Sequence, residues 1–269
     1  MEILSQDGLK LHLHHWPADH PEKVLCIIHG LGEHGGRYAE MADKLNEKKC
    51  SVMAIDVRGH GLSEGKRGHT RSYDHLLGDI EELLKAARSE YNDLPMFLFG
   101  HSMGGNLVAN FAKTKTTTEL SGFILSAPFF DVAFHPPAWK VNLAKAVGSI
   151  LPGLLQSNEL DVHAISRDPA EVKKYEADPL VHDRISVRLF LELIKNGKAV
   201  LENQSELKIP ALHYHGNADR LVSFSASEVF ADRNKYHLKW VPLEDTYHEP
   251  HNDLDRERVY ELVTQFISE

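Results

Sequence analysis

Apolar positions along this chain follow two rhythms that take turns. Leu9 to Trp16 alternates apolar residues with His and Lys, the period of a half-exposed strand. Val24–Ile28, Ser51–Ile55, Met96–Phe99, Phe123–Ser126, Ala211–Tyr214 and Lys239–Pro242 are short apolar runs of the kind that form buried parallel strands. Between them the spacing shifts to three and four. It predicts helices over Arg37–Lys49 (Tyr38, Met41 and Leu45 on one face), Tyr73–Glu90 (Leu76, Leu77, Ile80, Leu83, Leu84), Met103–Lys113 and Asp255–Ile267. Strands alternating with helices predict an α/β fold, a mostly parallel sheet with helices on both faces.

The alternation stops at about Phe129 and resumes at about Val200. That stretch is helix-patterned, carries Pro136, Pro137, Pro152, Pro169 and Pro179, and shows no convincing strand. It reads as an insertion, 129–200, between two strands of a core made of 1–128 and 201–269. From Ala138 to Leu155 the residues Trp139, Val141, Leu143, Ala144, Val147, Ile150, Leu151, Leu154 and Leu155 are apolar, with only Lys140 and Lys145 charged. A helix apolar nearly all round is buried, or lies against an acyl chain or a membrane.

Composition narrows the partners. Thirty basic against 39 acidic residues give a formal charge of −9, which argues against nucleic acid and anionic membranes. Cys26 and Cys50 make neither a disulfide framework nor a metal set. Met1–Asp7 lacks the basic and apolar regions of a secretion signal, and no run of 18 apolar residues occurs. The expected location is the cytoplasm, with peripheral membrane contact left open.

The chemistry concentrates in Gly100-His101-Ser102-Met103-Gly104-Gly105, between an apolar strand and a helix. Gly-x-Ser-x-Gly in that setting is a nucleophile elbow, a sharp turn that presents the Ser102 hydroxyl above the sheet. A serine hydroxyl needs a base, and eighteen histidines compete for the role. His248 and His251 share the loop between the last strand and the last helix, at the sheet edge where such sites collect. Asp219 follows the strand Ala211–Tyr214 and lies between serine and histidine in chain order, as the orienting acid should. Asp178 and Asp183, inside the insertion, read as caps or solvated charges. The oxyanion needs two N–H donors: Met103, after the nucleophile, and Leu31, in the loop His29-Gly30-Leu31-Gly32.

Several segments carry a family resemblance that covers nearly the whole chain. They are His29-Gly30-Leu31-Gly32-Glu33-His34, Gly36-Arg37-Tyr38, Asp56 to Gly65, the elbow, Asp178-Pro179-Leu180, Ala218-Asp219-Arg220-Leu221 and Tyr247-His248. With them the chain resembles the monoacylglycerol lipases of the α/β-hydrolase superfamily, in its lysophospholipase-like branch. The resemblance implies the α/β-hydrolase fold and a triad of Ser102, Asp219 and His248, with His248 preferred to His251. It also implies a mobile helical cap over an apolar channel, and a polar head-group pocket lined by Glu33, Arg37, Tyr175 and His251. The implied substrate is a monoacylglycerol or another small acyl ester. Val222 stands where some relatives carry a cysteine, and the middle of His248-Glu249-Pro250-His251 departs from the pattern.

Competing readings on the same scaffold are a lysophospholipase, a general carboxylesterase, a small-peptide peptidase and a non-catalytic binding protein. No cofactor or metal is implied. His12-Leu13-His14-His15 reads as a surface strand with no carboxylate or cysteine set beside it. His248-Glu249-Pro250-His251 is one residue short of H-E-x-x-H, and the glycines from Gly59 to Gly68 lack the Lys-Ser/Thr ending of a phosphate loop.

Overall fold

The computed structural model describes residues 1–115, 119–134, 137, 139, 146–148 and 150–269. The strands of its main sheet are Glu2–Leu4 (β1), Lys10–Trp16 (β2), Lys23–Ile28 (β3), Cys50–Ile55 (β4), Met96–His101 (β5), Gly122–Ser126 (β6), Ala211–Gly216 (β9) and Leu238–Leu243 (β10). Their order is β1-β2-β4-β3-β5-β6-β9-β10. β1, β2 and β4 pair antiparallel, and every pairing from β4 to β10 is parallel.

Strand side chains alternate between faces, so each parallel strand feeds two cores. Val24, Cys26 and Ile28 of β3 pack with helices Tyr73–Tyr91 (α2) and Met103–Thr114 (α3). Leu25 and Ile27 pack on the other face with Ala39–Asn46 (α1) and Arg256–Phe266 (α7). This two-sided burial is why the strands read as continuous apolar runs. The carboxyl ends of β3, β5, β9 and β10 share one edge, and all the predicted site residues except Tyr175, which lies in the insertion, follow those ends.

Two expectations need correction, and two elements went unpredicted. The helix predicted over Arg37–Lys49 begins as a 3-10 turn, Gly35–Tyr38, whose Gly36 N–H donates to the His34 imidazole and whose Gly35 N–H donates to Asp56, and its α-helical part is only Ala39–Asn46. It stops there because Asn46 donates to the carbonyls of Trp16 and Cys50 and Lys49 turns to φ +57°. The insertion does contain strands: Leu155–Ser157 (β7) and Arg184–Ser186 (β8) form an antiparallel pair. Three residues each are too few to show alternation. Helix Phe224–Arg233 (α6) and strand β1 had no sequence counterpart above. Of the two readings of Asp178, the cap holds: its carboxylate accepts the Leu180 N–H, and it also accepts a bond from His34.

The insertion also holds helices Pro169–Ala177 (α4) and Val187–Glu202 (α5). Of the predicted apolar helix, Ala138, Lys140, Val141, Leu143, Ala144 and Lys145 lie outside the described residues, as does Pro136. Its described members Trp139, Ile150, Leu151 and Leu154 are exposed, and Val147 lines the cavity below.

Candidate active site

The elbow is set by close packing of backbone. Ser102 has φ +50°, a left-handed conformation that a non-glycine residue adopts at a cost of about 1–3 kcal/mol. The surroundings enforce it. A Cβ on Gly100 would lie 2.3 Å from the Gly104 carbonyl oxygen, and one on Gly104 would lie 2.1 Å from that of Ile28. Only glycines let α3 pack this tightly against β3 and β5, so the turn stays sharp and the hydroxyl is pushed clear of the sheet.

Ser102, His248 and Asp219 form one bonded chain. His248 Nε2 lies 3.0 Å from Ser102 Oγ, and His248 Nδ1 lies 2.6 Å from Asp219 Oδ2. A carboxylate can only accept, so Nδ1 carries the proton and Nε2 is left to receive one from Ser102. Burial alone would lower the basicity of His248, but the buried charge of Asp219, helped by Glu249 and Glu33, outweighs it and raises the pKa above the ordinary value. Asp219 is itself fixed by the N–H groups of Leu221 and Val222 on Oδ1 and by His215 Nε2 on Oδ2. Against its burial, the His248 charge and the bonds from His215 and His248 hold its carboxyl far below the usual range.

Sequence reasoning missed His215, which is oriented by Ser227 Oγ on its other nitrogen. Its spacing of four residues before Asp219, across a strand end, was the available signal. His101 is 4.8 Å from His248, ring to ring, and burial followed by the His248 charge pushes it down to about 3. It stays neutral beside His248.

The N–H groups of Leu31 and Met103 have no hydrogen-bond partner among the described residues, and both residues line the cavity beside Ser102. Met103 opens α3, where backbone N–H groups are unpaired by geometry and the helix end favours negative charge. Such a pair can bind an oxyanion.

The cavity over Ser102 holds about 800 Å³. Its lining is mixed: Glu33, Tyr175 and Glu249 bring polar groups, while the insertion brings the apolar Phe129, Trp139, Val147, Phe190 and Leu193 together with Gln156, Ser157, Asn158 and Glu159. Arg37 and His251 are not among the residues that line the cavity. Arg37 is clamped between two carboxylates, donating to Glu33 at 2.7 Å and to both oxygens of Glu249 at 2.8 and 2.7 Å, with Tyr175 stacked against its guanidinium. His251 stacks on Tyr38 with both ring nitrogens unpartnered, and burial pushes it down to about 3. Glu249, adjacent to His248 in sequence, was not anticipated as a member of this group.

One further expectation fails here. His14 does have a carboxylate beside it: its Nε2 donates to Asp56 at 2.8 Å, and His34 lies close by. Asp56 also accepts from the N–H groups of Gly35 and Leu62, and His34 Nδ1 accepts from Gly36 N–H. The lone pairs a metal would need are occupied by donors, so the cluster acts as a hydrogen-bonded brace.

Comparisons with known proteins agree on the kind of chain this is. A family profile described as serine aminopeptidase, S33, matches residues 19–255. A monoacylglycerol lipase of Mycolicibacterium smegmatis is 34% identical over 97% of this chain and 93% of its own length. An uncharacterized abhydrolase domain-containing protein of Dictyostelium discoideum is 32% identical over 99% of this chain, which spans 28% of that protein. The crystal structure of a monoacylglycerol lipase from Paleococcus ferrophilus superposes with a TM-score of 0.86 at 34% identity, covering 96% of this chain and 98% of that one.

Proposed function

The chain belongs to the serine aminopeptidase S33 family of α/β-hydrolases, and from that premise we propose that it hydrolyses monoacylglycerols to glycerol and free fatty acid. The observation that carries this reading is the bonded chain from Asp219 through His248 to Ser102, opening into a cavity lined by polar groups and apolar side chains. In the first half-reaction the Ser102 hydroxyl passes its proton to His248 as the oxygen attacks the ester carbonyl. The tetrahedral oxyanion rests on the Leu31 and Met103 N–H groups. His248 then protonates the departing glycerol oxygen, leaving an acyl-serine. Water repeats the sequence and releases the fatty acid, with Asp219 stabilising each transient imidazolium.

The charge of the polar groups favours a neutral head group. Glu33 and Glu249 bring two carboxylates and Arg37 one guanidinium, which is paired with both. Arg220, on the cavity wall, is engaged by Asp161 and the His163 carbonyl. A lysophospholipid phosphate would meet a net negative wall there, whereas glycerol hydroxyls can donate to carboxylate oxygens. The same excess charge favours a second reading, cleavage of aminoacyl esters or amides with the ammonium group held at Glu33 and Glu249.

Residues 129–200 would serve as a cap over a core of 1–128 and 201–269. Phe134, Trp139, Ile150, Leu151 and Leu154 are exposed apolar residues on this insertion, near the cavity. They support transient contact with a lipid surface, and no helix among the described residues is long and apolar enough to cross a membrane. Vesicle flotation that persists unchanged in the Leu151→Asp, Leu154→Asp variant would remove this part of the reading.

The deciding assay is fatty-acid release from mono-, di- and triacylglycerols of several chain lengths, with lysophosphatidylcholine and an aminoacyl ester alongside and Ser102→Ala as the blank. Turnover of monoacylglycerol well above all others is expected. Cleavage of the aminoacyl ester with monoacylglycerol ignored would replace the lipase reading with the second one.

A further inference from the structure

Two motif fragments have no task in the chemistry above: His34, at the end of the oxyanion loop, and Asp178-Pro179-Leu180 in the insertion. They meet each other. His34 Nδ1 accepts from the Gly36 N–H at 3.2 Å, so its proton is on Nε2, which donates to Asp178 Oδ2 at 2.8 Å. Asp178 Oδ1 accepts from the Leu180 N–H at 2.8 Å, which fixes the carboxylate on its own turn. A few residues on, the His182 N–H donates to the Gly32 carbonyl at 2.9 Å, and His182 Nε2 reaches the Gly59 carbonyl at 3.1 Å. Gly32 has φ +81°, and a Cβ there would lie 2.5 Å from the His182 carbonyl oxygen, so the two backbones touch without space for a side chain.

The loop carrying Leu31 is therefore tied from both sides. On the inner side Glu33 Oε1 accepts the Gly30 N–H at 2.6 Å. On the outer side the stretch from Asp178 to His182 grips Gly32 and His34. Leu31, whose N–H is one of the two candidate oxyanion donors, lies between the tied residues Gly30 and Gly32.

We propose that Asp178 and His34 are positioning residues for the reaction, a latch by which the insertion holds the oxyanion loop and so aims the Leu31 N–H at the developing charge. The inference rests on Ser102 being the nucleophile and Leu31 an oxyanion donor. It gives the insertion a role in the chemical step in addition to its walls. The carboxylate is essential because it accepts twice. An asparagine has one acceptor oxygen, so it can serve His34 or Leu180 but sets an amide donor against the other.

The test is Asp178→Asn, assayed on the soluble ester p-nitrophenyl butyrate and on monoacylglycerol, with active sites counted by fluorophosphonate labelling. Misplacing one oxyanion donor weakens the transition state and leaves ground-state binding alone. Removing such a donor outright costs about 10²–10³ in turnover, so partial misplacement should lower kcat per labelled site by about 10–100-fold, with KM within about twofold. His34→Ala should lose a similar factor, and the double variant no more than the larger single loss.

An unchanged kcat per site, even with a lowered melting temperature, would show that the pair only stabilises the fold and would overturn the proposal. If Asp178→Asn does not fold, His34→Gln, which keeps an N–H donor toward Asp178, should retain more kcat than His34→Ala at equal KM. Equal turnover in those two would overturn it as well. The soluble ester keeps this test separate from the lipase reading, since a chain that ignores monoacylglycerol but cleaves the butyrate still reports on the oxyanion loop.

Discussion

Replacing Arg37 by methionine tests whether this side chain holds the molecule together or serves the substrate. The guanidinium is 8% exposed and its partners Glu33 and Glu249 are 3% and 4% exposed, so solvent screens these charges very little. Three N–O contacts of 2.7 to 2.8 Å join them. At an effective dielectric constant of about 20, two unit charges 4 Å apart attract by about 4 kcal/mol. Methionine keeps most of the apolar stem and leaves two buried carboxylates facing each other. Breaking a buried pair in this way costs about 3–5 kcal/mol. For a chain of this size each kcal/mol corresponds to about 2–4 °C, so the melting temperature should fall by about 6–20 °C.

The assay is thermal and urea unfolding followed by circular dichroism, with kcat and KM measured on the same preparations. Adding Glu249→Leu should restore most of the loss, because the second change removes one of the unpaired charges while Glu33 keeps Tyr38 and the Gly30 N–H as donors. A melting temperature within about 2 °C of the parent, together with a raised KM, would refute the reasoning. Arg37 would then be the head-group ligand that the family resemblance implies, not a brace outside the cavity lining.

Three further outcomes follow from the site. The base must be neutral to act, and the pKa of His248 lies above the ordinary histidine value of about 6.5, so activity should fall as pH drops through that raised value. Glu249→Gln removes a charge that raises it, so the acid limb of kcat/KM against pH should move to lower pH, and an unmoved limb would contradict the assignment. Asp219→Asn should lower kcat by about 10⁴ with the fold retained, because the amide NH2 must face donors either way, His248 and His215 on one side or the Leu221 and Val222 N–H groups on the other; steady-state kinetics alongside circular dichroism checks this. Thiol reagents should leave the native chain active: Cys26 and Cys50 are fully buried, and burial raises both thiols, Cys50 to about 12. Inactivation by maleimide at neutral pH would show that one of them becomes accessible.

Much of the architecture was written locally. Each parallel strand announces itself because both its faces are buried, and α2 because its apolar stripe recurs over nineteen residues. The elbow is legible for the same reason, since strand, glycines, serine and helix occupy consecutive positions and the turn they must make is a matter of short-range sterics. Asp219 and the loop holding His248 and His251 could be anticipated because parallel strands deliver their carboxyl ends to one edge, which turns position in the chain into position in space, and the family resemblance then preferred His248.

Other features had no local signature. β7 and β8 are three residues each and exist only because they pair with one another across the insertion. Asp56 reaches His14 across 42 residues, His34 reaches Asp178 across 144, and Arg37 reaches Glu249 across 212. Residue types alone could not separate Arg37 facing a substrate from Arg37 clamped outside the cavity lining. Periodicity is imposed by the backbone within a few turns or a few strand residues, so sequence by itself determined the layers, the elbow and the edge where chemistry collects. Which charges neutralise one another depends on the paths of loops that meet only when the whole sheet is assembled. Tertiary structure therefore decided that Arg37 is held by two glutamates, that His251 is a packed ring, and that Asp178 and His182 bond to the loop around Leu31.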